Sequence, residues 1–289
     1  MRLAAVVVNY HSGPLLEDCL RRLLAHPAVH ELALVDNGSK PGEIDALLAR
    51  LKDRRMLRLD LLDNPGFATA CNRGARATHA PHLLLCNPDC LLESSALDDL
   101  CAAALEIEKH HALGALGAVL VDRSGTVDPA SARRDPTPLR AVVSALGLER
   151  FLPTRGVHEA IVGTAPMPVD AISGALMLLR REAFYAVRGF DEGYFMHSED
   201  LDLCRRLREQ DFSVWLHPGV RVLHVKGVSS ARHPFRIEYA KYSSLLRYFD
   251  KFDAVRLAPP TRALIRVGAF LRLLLHWGLA SVRRPRVRQ

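Results

Sequence analysis

Hydrophobic residues along this chain form short runs, separated by longer stretches in which leucine and alanine recur every three or four positions. The runs are Leu3–Val8, Glu31–Val35, Leu57–Leu62 and Leu83–Cys86. Between and after them, Pro14–Ala25, Ile44–Leu51, Ala68–Thr78 and Leu91–Lys109 carry helical spacing. A run that is apolar at every position suits a strand covered on both faces. Strand alternating with helix predicts an α/β domain built on a doubly wound, mostly parallel sheet. Every run also ends in a polar or glycine-containing turn: Asn9-Tyr10-His11-Ser12-Gly13, Asp36-Asn37-Gly38-Ser39, Asn64-Pro65-Gly66-Phe67 and Asn87-Pro88-Asp89. In open α/β sheets, ligands bind beyond the carboxyl ends of the strands.

The second half is less regular. Leu116–Val121 reads as a further strand. Residues 122–168 hold six prolines and one brief apolar run, Leu139–Leu148, which suits a lid or acceptor loop better than a core. Val169–Leu179 returns to strand character, broken at Ser173-Gly174. Ser198–Gln210 is an amphipathic helix, and Phe212–Leu216 and Val220–Val225 look like closing strands. The pattern divides the chain into a domain over 1–230 and a helical extension over 231–289.

Charge changes the picture of that extension. The chain has 289 residues and a formal net charge of +7, and residues 261–289 carry seven arginines and no acid. Wound as a helix, Thr261–Val282 places Arg262, Arg266, Arg272, His276 and Arg283 on one stripe. Interior arginines oppose a membrane-spanning helix. An in-plane helix on an anionic membrane surface fits, with Phe270 and Trp277 in the apolar half. A helix packed on the domain with a solvated basic edge fits the same residues. The basic positions are interleaved with leucine, which argues against a nucleic-acid partner. The six cysteines form no CxxC pair, so reduced, mostly buried thiols in a cytoplasmic protein are expected. The start, MRLAAVVVNY, is too short and too soon polar for a signal peptide.

Candidate chemistry sits at the strand ends. Pro88 cannot donate to a ladder, so pairing stops there and Asp89 falls at the sheet edge. A carboxylate at that place can hold Mg²⁺ or Mn²⁺ against a phosphate, or cap the helix that follows. Asp36 can accept from a base or ribose edge, or make an Asx turn with Asn37-Gly38. Glu199, Asp200 and Asp202 open a helix behind the Gly193–His197 stretch, whose aromatics offer a wall. Three acids in four residues exceed what a helix dipole needs, so one carboxylate is read as a general base. His224 ends an apolar strand and can complete a metal site begun by Asp89. Lys226 and the Gly-Ser loop after it can contact phosphate.

In order, VVVNYHS (6–12), LVDNGS (34–39), NPGFATACNRG (64–74), LLLCNPDC (83–90), ISGALMLLRREAF (172–184), RGFDEGYFMHSEDLDLCRRL (188–207) and VLHVKGVS (222–229) resemble the inverting family 2 glycosyltransferases of GT-A fold, nearest the bacterial rhamnosyltransferase-like branch. The resemblance implies that Asn9, Tyr10, Asp36, Asn37, Asn64, Gly66, Phe67, Asn72 and Asn87 shape the nucleotide pocket. It places Asp89 in the DxD-type metal motif, here Asn87-Pro88-Asp89 without the first carboxylate, with His224 completing the site. Asp200 matches the catalytic base, in the pair with Glu199. Ser173, Gly174, Phe195 and Lys226 would border the substrates. The implied donor is a nucleotide-sugar, dTDP-rhamnose first. The implied acceptor is a glycan or polyprenyl-linked glycan of a surface polysaccharide, made on the inner face of the bacterial plasma membrane. The competing readings are a dinucleotide-dependent oxidoreductase, which lacks its GxGxxG after the first strand, and a non-catalytic nucleotide-sugar or polyanion-binding module, which leaves Glu199 and Asp200 as helix caps.

Overall fold

The computed structural model describes residues 1–39, 42–145, 148, 151–152, 156–225, 234–253 and parts of 259–270. Its first half follows the alternation in the sequence: β1 (Leu3–Asn9), α1 (Pro14–Ala25), β2 (Val29–Asp36), α2 (Glu43–Leu51), β3 (Met56–Asp60), α3 (Phe67–Arg76) and β4 (His82–Cys86). A two-residue strand, β5 (Cys90–Leu91), then precedes α4 (Ser94–Glu108) and β6 (Leu113–Val121). Beyond it come β7 (Ala132–Arg133), α5 (Pro138–Ala145), β8 (Met167–Pro168), β9 (Ala171–Ile172) and β10 (Leu176–Arg180). The chain closes with α6 (Arg181–Ala186), α7 (Glu199–Glu209), β11 (Ser213–His224) and α8 (Pro234–Phe252).

Among the described residues the main sheet has nine strands, in the order β3-β2-β1-β4-β10-β6-β11-β5, with β8 paired to β11. Strand β1 lies parallel to β2 and β4, and β11 parallel to β6. Between the two parallel groups β10 runs antiparallel to both β4 and β6. Successive residues of β1 alternate between two separate cores. Leu3, Ala5 and Val7 face α1, α2 and α4, whereas Ala4, Val6 and Val8 face α3, α6, α7 and α8. That is the period of a strand buried on both sides. Leu83, Leu84 and Leu85 have no measurable exposure, and truncating such a leucine to alanine costs about 2–5 kcal/mol.

Three departures from the sequence reading stand out. The two expected closing strands are one, β11, whose register with β6 jumps between His217 and Arg221. Pro218 and Gly219 fill the bulge, where a missing N–H costs nothing. The irregular stretch 122–168 contains a packed 3₁₀ turn at Pro129–Ser131, β7 and α5, so it is only partly loop. Finally, α8 packs on the domain. Tyr248 and Phe249 lie in the same core as α3 and α7, and Ser244 Oγ donates to the Met196 carbonyl at 2.8 Å. None of the described helices is long and apolar enough to cross a membrane. Of the expected interfacial helix, Ile265 packs against the core and Arg266 pairs with Asp250 at 2.9 Å. Arg272, His276, Trp277 and Arg283 lie outside the described residues.

Candidate active site

The ends of β1 and β2 and the turn after β3 form one polar cluster. The Asn9 side chain donates to Asp36 Oδ1 at 2.9 Å and to Ser39 Oγ at 2.8 Å, and Ser39 Oγ donates to the same Asp36 oxygen at 2.6 Å. Asn37 donates to Asn64 Oδ1 at 2.7 Å, while its own Oδ1 is buried with no partner. An orphaned buried acceptor is costly and points to a ligand donor. Asn9, Asp36, Asn37 and Asn64 therefore sit together, beside Tyr10 at the end of β1. Gly66, at φ +100°, turns the chain into α3 and lets Phe67 N–H donate to the Phe195 carbonyl at 2.9 Å. Asn72 faces elsewhere. Its amide is engaged with the Phe190 backbone and with Glu192, which fixes the loop before α7.

At the end of β4 the chain turns through Asn87, whose N–H donates to the Ala175 carbonyl at 2.8 Å. Register between β11 and β5 aligns His224 with Cys90. The imidazole Nε2 consequently lies 3.3 Å from Asp89 Oδ1. Donor atoms of Asp89, Cys90 and His224 fall within 4.8 Å of one another. The carboxylate suits a hard divalent ion such as Mg²⁺ or Mn²⁺, whereas imidazole and thiol suit transition metals. A neighbour that sequence reasoning did not single out is Asp128, 3.9 Å from His224 Nδ1. Burial alone would lower the His224 pKa, but Asp128 and Asp89 together hold it up at about 9. Its Nδ1 is otherwise buried without a hydrogen bond. A carboxylate behind a histidine is the usual means of orienting a metal ligand. Asp128 sits inside the stretch read as a lid, with no motif around it to mark it.

The three acids of α7 divide their roles. Helix entry is made by His197 and Ser198, both left-handed at φ +68° and +63°, a strained turn of the kind found at functional sites. Asp202 is fully buried and structural, taking Lys251 Nζ at 2.6 Å and Tyr194 OH at 3.3 Å. Asp200 Oδ2 accepts from Arg133 Nη2 at 2.6 Å and from Gly174 N–H at 2.9 Å. Burial would raise the Asp200 carboxyl, but the Arg133 charge and these hydrogen bonds bring it below its usual value. Glu199 goes the other way. Burial first, and then the Asp200 charge, push it up to about 8, and its Oε2 has no hydrogen-bond partner. Phe195 stands 38% exposed before this helix, at the rim.

The Ser173–Ala175 turn joins the two ends. Ala175 accepts the hydrogen bond from Asn87, which precedes Pro88 and Asp89, and Gly174 donates the one to Asp200. A Cβ at Gly174 would sit 3.2 Å from that of Asp200, so only a small residue fits. Asp89, His224, Ser173, Gly174 and Asp200 thus share one rim. Lys226 lies outside the described residues.

A mostly parallel sheet of this order, flanked by helices, is the GT-A fold of glycosyltransferases. The chain belongs to the family described as glycosyltransferase like family 2, whose profile matches residues 1–238, and it is a glycosyltransferase. It is 35% identical over 248 residues to an N-acetylglucosaminyl-diphospho-decaprenol L-rhamnosyltransferase of Mycobacterium tuberculosis, covering 80% of this chain and 78% of that one. It is 31% identical over 146 residues to rhamnosyltransferase WbbL of Escherichia coli K12, covering 50% and 52%. Among solved structures, mannosyltransferase PcManGT from Pyrobaculum calidifontis, in complex with GDP-Man and Mn²⁺, superposes with a TM-score of 0.59 at 16% identity, over 98% of this chain and 76% of that one.

Proposed function

We propose that this protein transfers rhamnose, with inversion, from dTDP-rhamnose to a hydroxyl of a polyprenyl-diphosphate-linked N-acetylglucosamine in surface polysaccharide synthesis. The observation that carries the reading is the gathering of Asp89, His224 and Asp200 on one rim of a chain that is 35% identical to an N-acetylglucosaminyl-diphospho-decaprenol L-rhamnosyltransferase. Asn9, Asp36, Asn37 and Asn64 provide polar groups for the nucleoside. Asp89 and His224 would hold Mg²⁺ or Mn²⁺, which as a Lewis acid supports the charge that develops on the departing diphosphate. Asp200 takes the proton from the acceptor hydroxyl as its oxygen bonds to the anomeric carbon. The bond from that carbon to the phosphate oxygen breaks at the same time, and its electron pair leaves with the nucleoside diphosphate. One displacement inverts the centre, so no enzyme nucleophile is required. Ser173 and Gly174, adjoining Asp200, border the reacting sugar, and the exposed Phe195 offers an apolar face to the acceptor.

A lipid-linked acceptor and a nucleotide-sugar donor together favour work at the cytoplasmic face of the membrane, where the arginine-rich residues 261–289 would meet anionic lipid. The reading is tested by following dTDP release from dTDP-rhamnose, with and without Mn²⁺ and a synthetic N-acetylglucosaminyl-diphospho-lipid. Acceptor-dependent release is expected. Release from UDP- or GDP-sugars alone would reassign the donor.

A further inference from the structure

Arg133 is the group the catalytic reading leaves unexplained. It lies in β7, inside the stretch that the sequence presents as an irregular lid, yet its side chain is only 12% exposed, as is that of Asp200. Register anchors it, since Ala132 pairs with Ile172 and Arg133 with Ala171. The same Nη2 that donates to Asp200 Oδ2 at 2.6 Å also donates to the Ile172 carbonyl at 2.7 Å. A charge so buried is expensive unless its partner is fixed and ionised.

The hydrogen bonds distinguish the two oxygens of the base. A carboxylate oxygen has about two lone-pair sites. Oδ2 uses both, on Arg133 Nη2 and Gly174 N–H. Oδ1 uses one, on Leu201 N–H at 2.8 Å. We propose that Arg133 is a positioning residue for glycosyl transfer, holding Asp200 so that Oδ1, the oxygen with a lone pair still free, takes the proton of the acceptor hydroxyl. Arg133 touches no substrate in this account. It acts by orienting the base and by keeping it ionised. Among the described residues, the other titratable groups interacting with Asp200 are Glu199 on the same helix, His197 before it and Cys204 one turn on. Burial holds His197 mostly uncharged, down at about 4, and Glu199 and Cys204 are pushed up. Among the described residues, Arg133 is the cation that keeps the base charged.

The proposal rests on Asp200 being that base, so Asp200→Asn is run beside the Arg133 variants. The probes are dTDP-rhamnose and the synthetic lipid-linked acceptor, with kcat and KM followed from pH 4.5 to 9. Arg133→Met is expected to lower kcat by about 10²-fold, within the span general-base catalysis supplies. It should move the acidic limb of the pH profile up by a unit or more, while the donor KM stays within about threefold. Arg133→Lys keeps the charge and loses the planar fork, so its acidic limb should stay in place while kcat falls. A folded Arg133→Met that loses the same factor at every pH, with its limb unmoved, overturns the proposal and leaves Arg133 structural. Wild-type kcat in either variant also overturns it, and Arg133→Lys decides alone should the methionine variant not fold. Substantial turnover by Asp200→Asn would instead remove the base assignment itself.

Discussion

His224 Nε2 approaches Asp89 Oδ1 to 3.3 Å although the two residues stand far apart in the sequence. Strand β11 brings the histidine there, by pairing with the short β5 that follows the Asn87-Pro88-Asp89 turn. Asp128 closes the group from behind. Replacing Asp89 or His224 with alanine should weaken Mn²⁺ binding, in the presence of dTDP, by at least the 10- to 100-fold typical of losing an outer-shell partner. Asp128→Asn should fall within that 10- to 100-fold range. Calorimetric titration of Mn²⁺ into the dTDP complex reads both. Unchanged affinity in all three variants would remove the metal from this corner.

Asp200→Asn keeps the shape of the side chain and takes away its basicity. Transfer should drop by about 10²- to 10⁴-fold, the contribution of a positioned base, while dTDP-rhamnose binding changes by less than about threefold. A variant that lost donor affinity and turnover together would point to a binding role.

Glu199 gives a stability prediction with a definite sign. Its carboxyl lies at about 8 in the folded protein against an ordinary 4.5, so the native state holds the proton more tightly than the unfolded chain does. Its contribution to stability is complete below about pH 4.5 and is lost as pH rises through about 8. Glu199→Gln should therefore melt higher than the parent at pH 8.5, by up to a few kcal/mol in stability, and match it near pH 4.5. Melting curves that run parallel across this range would show that Glu199 is charged throughout.

Gly66 ties the start of α3 to the Phe195 turn that precedes α7. A Cβ there would meet the Phe195 carbonyl oxygen at 2.5 Å, on a backbone at φ +100°. Gly66→Ala should cost about 1–3 kcal/mol from backbone strain alone and displace the Phe195 turn, lowering kcat as well as thermal stability. An alanine variant with wild-type melting and turnover would show that the turn yields freely.

Much of this architecture was legible from the chain because burial on both faces leaves a plain signature. Unbroken apolar runs located β1, β2 and β4, and leucine spacing located α1 at its observed bounds. The reversal of β10 was not legible, since a doubly buried strand reads alike in either direction. Nor was β5, whose two residues are too few to show a period. Asp89, Asp200 and His224 could be singled out because each stands where an apolar element meets a polar turn. Arg133 and Asp128 could not. They lie among scattered charges in a proline-rich stretch, and only the pairing of β7 with β9 and the 3₁₀ turn bring them to their partners. Asn72 stands in the same run as Gly66 and Phe67, but the helix turns its amide away toward Phe190 and Glu192.

The reversal of β10 also alters the electrostatics of the rim. Strands that all point one way would offer that edge only their terminal carbonyls. By entering from the opposite side, β10 delivers its leading turn there, and with it the amide of Gly174. The edge thereby gains a partial positive charge from the main chain itself, set beside the Asp200 carboxylate, and it does not depend on the identity of any side chain.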